Sequence, residues 1–140
     1  MIHVVNGPNL NLLGTREPEI YGSATLKEIC HELEEIAFCN SEQISFFQSN
    51  HEGEIIDYLQ KLTDQDSVIL NPGALAHYSI ALRDCIGSVK AEVVEVHISN
   101  IAAREPFRQN SIITAVCCGV ISGFGTDVYR MALNWFLERE

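Results

Sequence analysis

A phenol, a guanidinium and three asparagine amides share one stretch of the chain, Asn6 to Gly22, reading NGPNLNLLGTREPEIYG. Tyr21 follows Arg16 by five residues, with Asn6, Asn9 and Asn11 upstream and Glu17 between them. Together these groups can supply a base, its cationic activator and a hydrogen-bonding stabiliser for an enolate. The stretch is too polar for a core element and follows an apolar strand candidate at Ile2, Val4 and Val5. It runs for about sixteen loop residues where connections in compact α/β units usually take about 2 to 6. A long loop rich in hydrogen-bonding groups is more often a functional lid than a connector, and the lid is placed within residues 9–22.

Other segments carry related chemistry. The Arg-Glu-Pro tripeptide of residues 16–18 returns at Arg104-Glu105-Pro106, followed by Phe107 and Arg108. Either copy alone reads as a surface ion pair; two on one rim favour a site for an anion or a polyol. Asn71-Pro72-Gly73-Ala74 leads to His77 and then to Arg83-Asp84, a polar series that a simple turn leaves unexplained. Glu95 and His97 stand two apart in a strand candidate and so face one side, which lets the carboxylate orient the imidazole. A lone strand histidine is otherwise more often structural. Ile98-Ser99-Asn100 can present backbone N–H groups to an anion.

The elements that must hold these groups alternate. Apolar runs with β-branched residues recur at Ile2 to Val5, Ile44 to Phe47, Ser67 to Leu70, Glu92 to Val96 and Ile112 to Ile121. Helical spacing fills the gaps: Leu26, Ile29, Cys30, Leu33, Ile36 and Ala37 after a cap at Ser23 or Thr25, then Ile55 to Leu62, then Ile80 to Cys85, and a closing helix over Val128 to Leu137. The pattern predicts an α/β fold: a flavodoxin-like three-layer sandwich with a five-stranded parallel sheet and right-handed crossovers. Ligands in such sheets bind outside the carboxyl ends of the strands. Amides, hydroxyls and imidazoles follow four of the five strand candidates, while the strands themselves are nearly free of them.

Composition narrows the function classes. The chain of 140 residues is 46% hydrophobic, enough for one core, and residues 1–140 are expected to form a single domain. A net charge of −10 argues against nucleic acid as partner, since phosphate backbones need concentrated Lys and Arg. No apolar run approaches a membrane span, and the chain starts straight into a strand, so a cytoplasmic location is expected. Five scattered cysteines fit reduced, buried thiols. Walker, HExxH and Gly-x-Ser-x-Gly motifs are absent. Gly123-Phe124-Gly125 starts like a dinucleotide fingerprint, but Val128 holds the third glycine position and a tight turn explains it better.

Taken together, Asn6 to Gly22, Gln48 to Gly53, Asn71 to His77, Glu95 to Asn100 and Arg104 to Arg108 resemble the type II 3-dehydroquinate dehydratases in order and spacing over nearly the whole chain. The resemblance implies dehydration of 3-dehydroquinate to 3-dehydroshikimate without metal or organic cofactor. It also implies a homododecamer built from trimers. It makes Tyr21 the proton acceptor, Arg16 its electrostatic partner and Arg104 an added positive charge. Asn9 holds a water that stabilises the enolate oxygen, and His97, supported by Glu95, protonates the departing hydroxyl. Asn71 contacts substrate, the amides of Ile98 and Ser99 take its carboxylate, and His77, Arg108 and Asp84 hold ring hydroxyls, Asp84 from a neighbouring subunit. Ala76 and Val128 depart from the family's usual threonine and glycine, at positions without a catalytic role.

Physical chemistry agrees with that assignment. A free phenol titrates near pH 10, and making it a base near pH 7 takes about 4 kcal/mol. One guanidinium at about 4 Å in an effective dielectric of about 20 supplies about that much. A Schiff-base dehydratase is the runner-up, but Lys27, Lys61 and Lys90 lie in segments that read as exposed. A flavin- or nucleotide-binding module needs a phosphate loop that Asn6-Gly7-Pro8-Asn9 does not provide. A non-catalytic interaction domain leaves the polar strand ends without a purpose. The same reaction serves shikimate biosynthesis and quinate breakdown.

Overall fold

The computed structural model describes residues 1–139. Its centre is a parallel five-stranded sheet of β1 (Ile2–Asn6), β2 (Ile44–Gln48), β3 (Ser67–Asn71), β4 (Glu92–His97) and β5 (Gly119–Ser122). The spatial order is β2-β1-β3-β4-β5, as expected for a flavodoxin-like sheet. Helix α1 spans Pro18–Tyr21, α2 Leu26–Cys39, α3 Glu52–Leu59, α4 Ile80–Ser88 and α5 Asp127–Glu138.

Strand alternation distributes the side chains into two cores. Ile2, Val4, Ile69, Val94 and Val96 meet Leu33 of α2 and Tyr129 and Leu133 of α5 on one face. Val5, Val68, Leu70 and Val93 meet Ile55 and Leu59 of α3 and Leu82 and Ile86 of α4 on the other. The predicted helical faces therefore become the outer layers, and Thr25 caps α2 by accepting the Glu28 N–H at 3.1 Å.

Three sequence expectations change. The Asn6 to Gly22 stretch is not plain loop: Leu10–Leu12 form a 3-10 turn and Pro18–Tyr21 form α1, started by a proline whose missing N–H costs nothing at a helix N-terminus. The Ile112 to Ile121 run yields only a four-residue strand. Its first half loops across the α4 side, where Ile113 is buried and the Ile112 N–H bonds the Ala76 carbonyl at 2.8 Å. Of the five thiols, Cys85 is buried, whereas Cys39 and Cys118 are exposed.

Two turns at the carboxyl ends of β1 and β3 interlock. A Cβ on Gly7 would lie 2.5 Å from the Pro72 carbonyl oxygen, and the Gly7 N–H bonds the Asn71 carbonyl at 2.8 Å. Gly73 has φ +58° and backs onto Pro8. The turn-forming residues thus act jointly, bringing two polar strand ends into contact at the switch in strand order.

Candidate active site

A cleft open to solvent lies over those strand ends. Asn9, Arg16 and Tyr21 from the first long connection line the cleft, Asn71 ends β3 and His77 follows it. His97, Ile98 and Ser99 come from β4 and the residues just after it, with Arg104 and Arg108 beyond. Glu95 stands behind His97, and Asp84 is exposed on α4 and does not line the cleft of its own chain.

Tyr21 sits between two cations. The Arg104 Nη1–H donates to its phenol oxygen at 2.8 Å, and to Ser99 Oγ at 3.3 Å. The Arg16 guanidinium carbon is 5.0 Å from the tyrosine ring centroid and that of Arg104 5.3 Å, within cation–π range. The hydrogen bond to the phenol therefore belongs to Arg104, while Arg16 faces the ring. Arg104 is partly withdrawn from water, which disfavours its charge, yet contact with Tyr21 and the nearby Glu105 and Glu17 outweigh this and raise its pKa. Glu105 links the second Arg-Glu-Pro segment internally, accepting from Arg108 Nε at 2.7 Å and approaching Arg104 Nε at 3.5 Å.

His97 and Glu95 point to one side of β4, as their spacing predicts, and the Glu95 carboxylate bonds Nε2 of the imidazole. A carboxylate accepting from Nε2 leaves Nδ1 as the ring nitrogen available to a ligand. Glu95 is fully buried. Burial alone would push its pKa up, but hydrogen bonds from His97, Ser111 and Thr114 outweigh it and hold the group below the usual carboxylate range. Ser111 Oγ reaches it at 2.6 Å and Thr114 Oγ1 at 2.5 Å. The His77 and His97 rings are stacked with centroids 6.3 Å apart, and His77 Nδ1–H donates to the Asn110 carbonyl at 2.9 Å.

Supporting groups come from the turn after β2 and from α5. The Asn9 N–H donates to Asn50 Oδ1 at 2.9 Å, with Asn9 at φ 70° in the left-handed region that asparagine tolerates. Asn71 Nδ2 donates to the Tyr129 hydroxyl at 2.8 Å, and its Oδ1 accepts the Gly73 N–H at 3.2 Å. Ser111, Thr114 and Tyr129 escaped the sequence reading. For Tyr129 a signal existed: it occupies a core-facing position of an amphipathic helix, and a buried phenol requires a partner.

Lys27, Lys61 and Lys90 are all exposed and none lines the cleft. Gly123 and Gly125 have positive φ and donate to the carbonyls of His97 and Ile98, which makes their segment a turn fastened to the end of β4. No helix among the described residues is long and apolar enough to cross a membrane.

Comparison with known proteins assigns the family. The model of the class II dehydroquinases matches residues 1–137. A 3-dehydroquinate dehydratase of Roseiflexus castenholzii is 51% identical over 137 residues, covering 97% of this chain and 87% of the relative. One from Exiguobacterium sp. is 52% identical, covering 98% and 94%. The crystal structure of a type II dehydroquinase from Butyrivibrio crossotus superposes with TM-score 0.93 at 42% identity, covering 99% of this chain and 97% of that one. A match of this extent, on a fold that seats Tyr21 between Arg16 and Arg104 over the strand ends, means that the chain belongs to the class II dehydroquinase family.

Proposed function

We propose that this chain dehydrates 3-dehydroquinate to 3-dehydroshikimate through an enolate, the hydro-lyase step of the shikimate pathway. The observation that carries the proposal is the Tyr21 phenol held between two guanidiniums, one of them bonded to its oxygen at 2.8 Å.

Tyr21 takes the proton beside the ketone, and the C–H electron pair becomes the enolate double bond. Arg16 and Arg104 supply the positive charge that a phenolate needs. Asn9 holds the water that bonds the enolate oxygen. His97, oriented by Glu95, gives a proton to the β-hydroxyl; the C–O bond breaks, water leaves, and the enolate collapses to the enone. Binding is assigned to the backbone amides of Ile98 and Ser99 for the substrate carboxylate, and to Asn71, His77, Arg108 and Asp84 for the ring hydroxyls. No lysine is asked to form an imine, and no metal or organic cofactor is required.

The catalytic unit is the whole chain, with residues 9–22 as its lid. We assign it a homododecamer of trimers in the cytoplasm, with Asp84 reaching the cleft of a neighbour. Support for a covered surface comes from α4: Ile80 is 66% exposed one turn before Asp84, so the two share an outward face.

The test is to add 3-dehydroquinate to the purified chain and follow the conjugated enone by ultraviolet absorbance. Growth of that band supports the assignment, and a flat trace with folded protein refutes it.

A further inference from the structure

Two asparagines close adjacent strands. Asn6 ends β1, Asn71 ends β3, and they are register partners. From β1 the chain winds outward to β2 and then returns to β3 on the opposite side, so this pair marks the switch in strand order. Alternation turns Asn6 and Asn71 toward the α2 and α5 face, in line with Val4 and Ile69. On that face Tyr129 of α5 is fully buried, and the mechanism above gives it no role. Its hydroxyl touches both amides, at 2.5 Å from Asn6 Oδ1 and 2.8 Å from Asn71 Nδ2.

Every bond in this chain has a forced direction. The Gly73 backbone N–H can only donate, and it meets Asn71 Oδ1 at 3.2 Å. Asn71 Nδ2 must then point to Tyr129, whose oxygen accepts, and the phenolic proton is left for Asn6 Oδ1. Burial pushes the Tyr129 phenol well up from its usual range, against a smaller lowering by the Asn71 bond, so the proton is always present to donate. Asn71 lines the cleft beside His97. If its amide turned over, the donor and the acceptor it presents there would exchange places.

We propose that Tyr129 is a positioning residue for the reaction: its hydroxyl, anchored on Asn6, locks the amide of Asn71 in the one orientation that suits the substrate. This rests on the functional reading above. A ring needed only for packing would serve as well without its hydroxyl, since the surrounding α2 and α5 contacts are apolar.

The experiment compares steady-state kinetics of wild type, Tyr129→Phe, Asn71→Ala and the double variant on 3-dehydroquinate, with melting temperatures alongside. Loss of one oriented hydrogen bond to substrate corresponds to about a tenfold rise in KM with kcat within about threefold. Because Tyr129 acts through Asn71, adding Tyr129→Phe to Asn71→Ala should raise KM no further. Phe136→Leu, farther along α5, should lower the melting temperature while leaving KM unchanged. If Tyr129→Phe does not fold, Asn6→Ala breaks the same chain at its far end and should raise KM in the same direction by about threefold. An active wild type with unchanged KM in Tyr129→Phe, or additive effects in the double variant, overturns the positioning role alone. A wild type that leaves 3-dehydroquinate unchanged overturns the functional reading, and the positioning role with it.

Discussion

Arg104 Nη1 and the phenol oxygen of Tyr21 meet at 2.8 Å across 83 residues of chain. Arg16, only five residues from Tyr21, instead lies against the ring, 5.0 Å from its centroid. The two cations are therefore not equivalent. Arg104→Gln, which keeps a donor but removes the charge, should lower kcat by about 100-fold. Arg16→Gln should cost less, about tenfold, because a cation over a ring face is worth about 1–2 kcal/mol when partly desolvated. Steady-state rates on 3-dehydroquinate give the comparison, and a reversed ranking would reassign the activating charge to Arg16.

Glu95 makes stability depend on acid. Its folded pKa is depressed, because the bonds from His97, Ser111 and Thr114 outweigh the effect of burial. Such a group contributes stability above its unfolded value, about 4.3, and that contribution is lost as pH falls through the lower folded value. Glu95→Gln should be less stable at neutral pH, with the gap closing below about pH 4. Urea midpoints measured from pH 7 to pH 2 follow this, and a constant gap throughout would mean that the carboxylate's charge is not what the three donors recognise.

Gly7 has no room for a side chain, since a Cβ would fall 2.5 Å from the Pro72 carbonyl oxygen. Backbone must move to admit one. Gly7→Ala should cost about 1–3 kcal/mol of stability and also reduce activity, because the displaced turns carry Asn9 and Asn71. An unchanged denaturation midpoint would show that the two strand-end turns separate freely.

Asp84 lies outside the cleft of its own chain, so its assignment to the substrate requires a second chain. Tyr21→Phe and Asp84→Ala, each impaired alone, should regain some activity when dissociated, mixed and reassembled, since some clefts then combine an intact tyrosine with an intact aspartate. Verified mixed oligomers with no recovery would exclude a shared site.

The sheet, its order and the rim were legible because alternation of apolar strands with amphipathic helices leaves few topologies, and polar residues cluster at strand ends. Glu95 and His97 were legible as a pair because a strand has period two. The Ile112 to Ile121 run misled because continuous apolar sequence does not distinguish a strand from a loop packed on the core, and Ile113 and Val116 cover α4 rather than pair. The contacts of Ser111 and Thr114 with Glu95 span 16 and 19 residues, and that of Tyr129 with Asn71 spans 58. No local periodicity encodes such distances. The same holds for Arg104 and Tyr21, whose direct bond gives the nearer role to the arginine that sequence proximity made secondary.

The central claim is that the Tyr21 hydroxyl is the base. Tyr21→Phe removes one oxygen from a partly exposed side chain and should leave melting temperature and ligand affinity close to wild type. The decisive measurement is enone formation from 3-dehydroquinate by wild type and Tyr21→Phe side by side. The expected result is ready turnover by wild type and a loss of at least about 1,000-fold in the variant. A Tyr21→Phe protein that forms enone at near wild-type rate would contradict the account.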